Sequence, residues 1–104
     1  TSVEDETPAE VPSEFKLDGN YPNPFNPSTK IVFSLPESAP VALQIFNALG
    51  DLVYETKSQW FERGRNEFFW NGQNSGNTAA PSGVYLYKIS ANGTTLTGKM
   101  VMMK

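Results

Sequence analysis

Short stretches of the chain alternate between apolar and polar residues with a period of two, the pattern of a strand with one buried face. In residues 28–35, Ile31, Phe33 and Leu35 share one side while Lys30 lies on the other. The alternation predicts strands over residues 28–35, 41–47, 52–61, 65–70, 83–91 and 94–103. No segment sustains an apolar period of 3.6 residues, so we predict no helices.

Turn-forming residues separate these strands. Asn92-Gly93 predicts a two-residue hairpin turn between the last two strands, and Asn71-Gly72 ends the strand over 65–70. Gly50 and Gly83 are also expected to satisfy turn geometry. Short strands at this spacing predict an all-β fold, an immunoglobulin/fibronectin-like antiparallel β-sandwich of about seven strands, with no disulfide.

A proline-rich segment, which we call the proline strap, precedes the first of these strands. Its residues are Tyr21, Pro22, Asn23, Pro24, Phe25, Asn26 and Pro27. The prolines fix φ near −65° and restrict the residues before them, so the strap is expected to be stiff and non-helical. We predict that it covers one end of the sandwich and inserts Tyr21 and Phe25 there. A recognition surface is the alternative.

Three further aromatic residues fall on the predicted buried faces. Trp70, Tyr85 and Tyr87 are therefore interpreted as core and corner residues rather than as a ligand platform.

Composition argues against catalysis. The 104 residues include neither Cys nor His, which removes thiolate nucleophiles, the usual zinc ligands and the side chain best suited to proton transfer near neutral pH. The acidic residues of the predicted sandwich form no obvious convergent pair: Asp18, Glu37, Asp51, Glu55, Glu62 and Glu67. The loop over residues 71–77 resembles a calcium loop but lacks a carboxylate. We expect no catalytic residue, metal or cofactor.

Charge divides the chain into two regions. Residues 1–14 contain five acidic residues and no basic one, whereas residues 15–104 contain eight basic and six acidic residues. We interpret residues 1–14 as an acidic, disordered linker and residues 15–104 as the sandwich. The net +2 of the second region, without a Lys/Arg cluster, argues against nucleic acid as a partner. No apolar run is long enough for direct membrane insertion.

Five ordered blocks lie between residues 20 and 104. They are Asn20-Tyr21-Pro22-Asn23-Pro24-Phe25-Asn26-Pro27-Ser28-Thr29-Lys30-Ile31, Ile45-Phe46-Asn47-Ala48-Leu49-Gly50, Phe69-Trp70-Asn71-Gly72, Pro81-Ser82-Gly83-Val84-Tyr85-Leu86-Tyr87, and Lys99-Met100 before Lys104. Together they resemble the C-terminal sorting domain of type IX secretion cargo. An immunoglobulin-like module of the flagellar hook-capping protein shares the middle blocks.

The resemblance implies a module that addresses and anchors an attached protein. In that family the tail follows an upstream cargo domain in the same chain, is recognised by an outer-membrane translocon and is commonly removed by a surface sortase. The expected location is the periplasm in transit, then the cell surface or the medium. The resemblance places a signal at the end of the chain, so the sorting-signal candidates are Lys99, Met100, Val101, Met102, Met103 and Lys104.

Two other functions remain open at this point. A carbohydrate-binding sandwich would need exposed aromatic residues, for which Trp60, Phe61 and Phe69 are candidates. A passive spacer or an assembly module like that of the hook cap predicts no effect of removing the last residues beyond a loss of stability. A translocon, by contrast, could read backbone groups at a sheet edge together with the end of the last strand.

Overall fold

Eight strands form two antiparallel sheets in the computed structural model, which describes residues 14–104. They are β1 (Lys16–Tyr21), β2 (Thr29–Leu35), β3 (Ala39–Asn47), β4 (Leu52–Glu55), β5 (Gln59–Phe61), β6 (Gly64–Trp70), β7 (Gly83–Ala91) and β8 (Thr94–Met102). The predicted immunoglobulin-like sandwich is confirmed. The predicted linker over residues 1–14 lies, apart from Glu14, outside the described residues.

The smaller sheet has the order β1-β2-β6. β1 was not among the predicted strands because its sequence does not alternate. Its register against β2 shifts between Leu17 and Gly19, so Asp18 is an extra residue in a β-bulge. Gly19 has φ of 111°, a value that favours glycine.

The larger sheet has the order β4-β3-β7-β8, with β5 also paired to β3. The prediction of one strand over residues 52–61 was wrong, because Thr56 interrupts it. The Thr56 N–H donates to the Leu43 carbonyl oxygen at 2.9 Å, and its Oγ1 accepts from the Leu43 N–H at 3.1 Å. β4 and β5 are thus two pieces of one bulged edge.

The core lies between the two sheets, on the faces that the alternation indicated. Its fully buried large side chains are Trp70, Tyr85, Tyr87, Phe25, Phe33, Ile31, Leu35, Leu43, Ile45, Ile89, Met100 and Met102. The hairpin of β7 and β8 pairs without a break from Gly83 opposite Met102 to Ala91 opposite Thr94. Asn92 and Gly93, with φ of 49° and 81°, form its turn as predicted.

Within residues 14–104, no helix has the length and apolar character needed to cross a membrane.

Candidate functional site

The proline strap leaves β1 and joins the outer edge of β8. The Phe25 N–H donates to the Val101 carbonyl oxygen at 2.9 Å, and the Met103 N–H donates to the Phe25 carbonyl oxygen at 2.9 Å. The Phe25 ring is buried, with its centroid 5.7 Å from that of Trp70. The strap therefore closes the end of the sandwich and also occupies the backbone groups at the end of β8.

Polar side chains hold the strap in place. Asn23 Oδ1 accepts a hydrogen bond from the Val101 N–H at 3.0 Å. Behind the strap, the buried Thr29 hydroxyl and the buried Asn20 amide both donate to the Pro22 carbonyl oxygen, at 2.9 and 3.3 Å. Burial of these polar groups is tolerated because each of them is hydrogen-bonded.

Tyr21 does not share the role of Phe25. Its side chain is 57% exposed, and its hydroxyl donates to the Asp18 carbonyl oxygen at 3.0 Å. Tyr21 is the last residue of β1 and pairs with Lys30, an exposed residue of β2, so it lies on the outer face of the smaller sheet. The expectation that Tyr21 also plugs the sandwich is therefore corrected; of the two, only Phe25 does.

The other structural-motif residues pack or turn near the same end of the domain. The Trp70 indole N–H donates to the Gln73 carbonyl oxygen at 2.9 Å, and the Tyr85 hydroxyl donates to the carbonyl oxygen of Pro81. Gly72 has φ of 82°, and a Cβ there would overlap the Pro27 carbonyl group of the strap. Gly50 and Gly83 also have positive φ, but a Cβ at either would meet open space.

The six sorting-signal candidates divide by the alternation of β8. Met100 and Met102 point into the core and are fully buried. Val101 is half-buried, and the remaining three are exposed: Lys99, Met103 and Lys104. Any partner that reads this segment can thus touch only part of it, because the buried methionines belong to the fold.

Apolar side chains line the outer face of the larger sheet beside this segment. We call this surface the apolar strip, and its residues are Phe46, Leu52, Val84, Leu86, Val101 and Met103. The register places Leu52, Phe46, Leu86 and Lys99 in one row across four strands, with Val84 beside Val101 in a neighbouring row. Val84 and Leu86 are 42% and 39% exposed although they sit at positions where the alternation expects polar residues. That departure from the pattern was a signal that the sequence analysis missed.

Two lysines border the apolar strip. Lys88 Nζ lies 5.2 Å from the centroid of the Phe46 ring, a cation–π contact. Lys99 lies opposite Leu86 on the neighbouring strand. Within residues 14–104 neither lysine forms an ion pair, whereas Lys30 pairs with Glu67 at 3.4 Å. The exposed end of β8 is thus an apolar surface with a positive rim.

A cleft of about 380 Å³ adjoins the apolar strip at Leu52. Its other lining residues include Asn47, Asn74, Pro81 and Tyr85. Both asparagine oxygens are already used as acceptors: Asn47 Oδ1 by the Leu49 and Asp51 N–H groups, and Asn74 Oδ1 by those of Gly76 and Thr78. These two side chains shape loops, so neither of their oxygen atoms is free to hold a ligand in the cleft.

Residues 19–95 match the FlgD Ig-like domain family. This chain belongs to that family. The match ends at residue 95, the second residue of β8, and so does not include the sorting-signal candidates. No curated protein matches the chain in sequence.

Three solved structures resemble this FlgD Ig-like domain. Dimeric latent PorU from Porphyromonas gingivalis has a TM-score of 0.74 and 20% identity, over 86% of this chain and 9% of PorU. PorZ, an essential surface component of the type IX secretion system of P. gingivalis, has a TM-score of 0.59 and 22% identity, over 82% of this chain and 11% of PorZ. FlgD from P. aeruginosa has a TM-score of 0.55 and 23% identity, over 71% of this chain and 59% of FlgD. The chain spans about a tenth of PorU and of PorZ, and at these identities the likeness establishes the fold.

The Ig-like domain does not gather the aromatic residues considered for carbohydrate binding. Trp60 is 64% exposed on β5, beside Pro40 on the outer face of the larger sheet. Phe69 is exposed on the opposite side of the molecule, on the smaller sheet, and Phe61 packs against Phe33 in the core. No shared platform results from these three side chains.

Proposed function

We propose that this domain is a C-terminal sorting and anchoring module that directs an attached cargo protein through the type IX outer-membrane translocon to the cell surface. The observation that carries the proposal is the division of the last strand. Met100 and Met102 fix it in the core, while Val101 and Met103 contribute to the apolar strip and Lys99 lies at its border. A recognition element on a rigid strand is positioned more accurately than one on a free tail.

The strap changes how a translocon would read the domain. The edge groups of Val101 and Met103 are already bonded to Phe25, so strand addition at the very end of β8 would first require the strap to leave. The outward side chains need no such rearrangement. We therefore propose that the translocon recognises side chains at the end of β8. The apolar strip is the contact surface, and the bordering Lys88 and Lys99 are its charged contacts.

The proposal includes no catalytic step within this domain. The carboxylates named above lie on different elements and have different contacts: Glu62 accepts from the Trp60 indole N–H at 3.0 Å, and Glu67 pairs with Lys30. Within residues 14–104 no three acidic side chains cluster as a metal site would. Removal of the module by a surface sortase, with a cut in or near residues 1–14, follows from the resemblance and is part of the same proposal.

Localisation of a reporter tests the proposal. A periplasm-targeted fluorescent protein is fused upstream of residues 1–104 and expressed in hosts with and without the type IX translocon. We expect surface fluorescence only when the translocon is present. A mass shift that corresponds to loss of the module would indicate the sortase step. A reporter that stays periplasmic in both hosts would refute the sorting role.

Matched variants locate the recognition surface. The pair Lys99→Glu and Met103→Ser alters two exposed side chains at the end of β8. The control pair Lys16→Glu and Leu49→Ser makes the same change of charge and a comparable apolar-to-serine change at exposed positions elsewhere. We expect the first pair to abolish surface delivery and the control pair to preserve it, with both proteins equally folded by circular dichroism. Equal delivery of the two pairs would move the recognition surface away from β8.

A further inference from the structure

Along the part of β8 that the strap does not reach, the outer edge forms no backbone hydrogen bond with the rest of residues 14–104, and we call this part the open segment. The backbone N–H and C=O groups of successive residues in a strand point alternately to its two sides. Because those of Val101 and Met103 point toward the strap, the directions of the backbone groups along the rest of β8 follow. The backbone groups of Thr95, Thr97 and Lys99 therefore point away from β7. Within residues 14–104 no strand or loop bonds to them.

The other sheet edges carry features that oppose strand pairing, and this one carries fewer. β1 has the bulge at Asp18, and the edge formed by β4 and β5 is interrupted at Thr56. β6 places two charged residues, Arg65 and Glu67, on its exposed face. The open part of β8 is regular, with two β-branched threonines and a single lysine, so it is the least protected edge of the described domain.

Both ends of the open segment are fixed by the structure. The hairpin turn at Asn92-Gly93 precedes it, and the strap begins to cover β8 at Val101. The outward-pointing residues between these limits are Thr95, Thr97 and Lys99, with Thr97 at the centre. β8 of a second copy meets both limits, because in antiparallel orientation its own strap lies beyond one end of the segment and its own turn beyond the other.

We propose that two copies of this chain pair through β8 in antiparallel fashion, across a two-fold axis at Thr97. Thr97 of one copy then lies opposite Thr97 of the second copy, and Thr95 lies opposite Lys99 in both directions. Each facing pair exchanges two backbone hydrogen bonds. In this register the hairpin turn of each copy lies opposite the start of the other copy's strap, so neither strap blocks the pairing. No like charges lie directly opposite each other.

The small size of the contact determines its strength. Pairing over about five residues per copy buries far less than the roughly 1,200–2,000 Å² of a stable interface. The dimer therefore forms only at high concentration or when upstream domains bring copies together. It also hides the Lys99 backbone, so it competes with any partner that adds a strand at the same edge.

Thr97→Pro tests the pairing without breaking the fold. Proline removes the Thr97 N–H, which points outward and has no bond within the described domain, so an edge strand tolerates it. By sedimentation equilibrium of the 104-residue chain, we expect concentration-dependent dimers of the wild type and of Thr97→Val. For Thr97→Pro we expect an association constant lower by about tenfold or more, because one hydrogen bond is lost from each copy.

Cysteine cross-linking tests the register without relying on proline. Because the chain has no cysteine, each single substitution introduces one thiol. With a short bis-maleimide, Thr97→Cys should form covalent dimers by itself, because Thr97 faces Thr97. Thr95→Cys and Lys99→Cys should form them mainly when these two variants are mixed with each other. Lys88→Cys on β7 is the control: it leaves the pairing edge unchanged but should give no covalent dimer.

Three results would overturn the proposal. The first is a wild-type chain that stays monomeric at millimolar concentration. The second is a dimer that survives Thr97→Pro, and the third is a dimer that cross-links equally at all four cysteine positions. If Thr97→Pro instead abolished surface delivery of the reporter while the wild type remained monomeric, the edge would be a site for a partner strand, and the pairing of two copies would be refuted.

Discussion

The two halves of β8 pair with β7 in the same continuous register but differ on their other side. From Met100 to Met103 the strap bonds to the outer edge and Phe25 packs on Trp70 beneath it. From Thr95 to Lys99 no backbone group of residues 14–104 bonds to the outer edge, and the inner face carries Gly98, over which the Tyr87 ring lies. The comparison shows that pairing with β7 does not determine which backbone groups of β8 are available to a partner. That depends on whether the strap bonds to the outer edge.

The largest difference between the halves should appear when the cover is removed. Phe25→Ala leaves a cavity beside Trp70 and frees the strap, so we expect a loss of about 3–5 kcal/mol in the free energy of unfolding. Tyr21→Ala, an aromatic truncation at an exposed position four residues earlier, should lose less than about 1 kcal/mol. Urea denaturation measures both. Equal losses would mean that the strap contributes nothing specific to the closed half.

Tyr87 packs on Gly98 in the open half of β8, residues 95–99, and its burial should become measurable at alkaline pH. Burial, and to a smaller extent the nearby Tyr21, raises the pKa of the Tyr87 hydroxyl from 10.0 to about 12. The folded state thus holds this proton more tightly than the unfolded state. The resulting stabilisation is complete below pH 10 and is lost as pH rises from 10 to 12, at up to about 1.4 kcal/mol per pH unit.

Tyr87→Phe provides the measurement for that expectation. The variant lacks the titrating group, and within the described residues the hydroxyl has no hydrogen-bond partner, so its stability near pH 7 should stay close to that of the wild type. Between pH 10 and 12 the wild type should lose stability more steeply than Tyr87→Phe in parallel urea titrations. Curves that remain parallel would contradict the expected shift.

The smallest effect concerns a single hydrogen bond of the cover. Asn23→Ala removes the acceptor for the Val101 N–H, and we expect a loss of about 1 kcal/mol with faster amide exchange at Val101. Asn26→Ala, an exposed residue of the same strap, is the matched control and should change neither quantity. If amide exchange at Val101 were equally slow in the wild type and in Asn23→Ala, the Asn23 side chain would not contribute to holding the strap on β8.

Local pattern was enough to predict much of the fold. Alternation identified β2, β3, β6, β7 and β8, and Asn92-Gly93 identified the turn of the last hairpin. These features depend on residues close together in sequence, and the buried face of each strand follows directly from its period of two.

Interactions between distant residues account for what the sequence did not predict. Nothing near Phe25 indicates that its backbone bonds to Val101, or that Tyr21 faces outward, because both depend on how β1 pairs. The break in the edge strand depends on Thr56 bonding to Leu43 across the sheet. The apolar strip was visible in part, as apolar residues at positions expected to be polar, but its continuity requires the register of four strands.

The contact between the strap and β8 has a consequence for the order of events during synthesis. Asn23 and Val101 are 78 residues apart in sequence, so the N-terminal part of the domain must wait for its last strand before the sandwich can close. A chain in which β8 has not yet been synthesised, or that is truncated before β8, lacks the edge on which Phe25 docks. A closed domain is therefore evidence that translation of its final strand is complete.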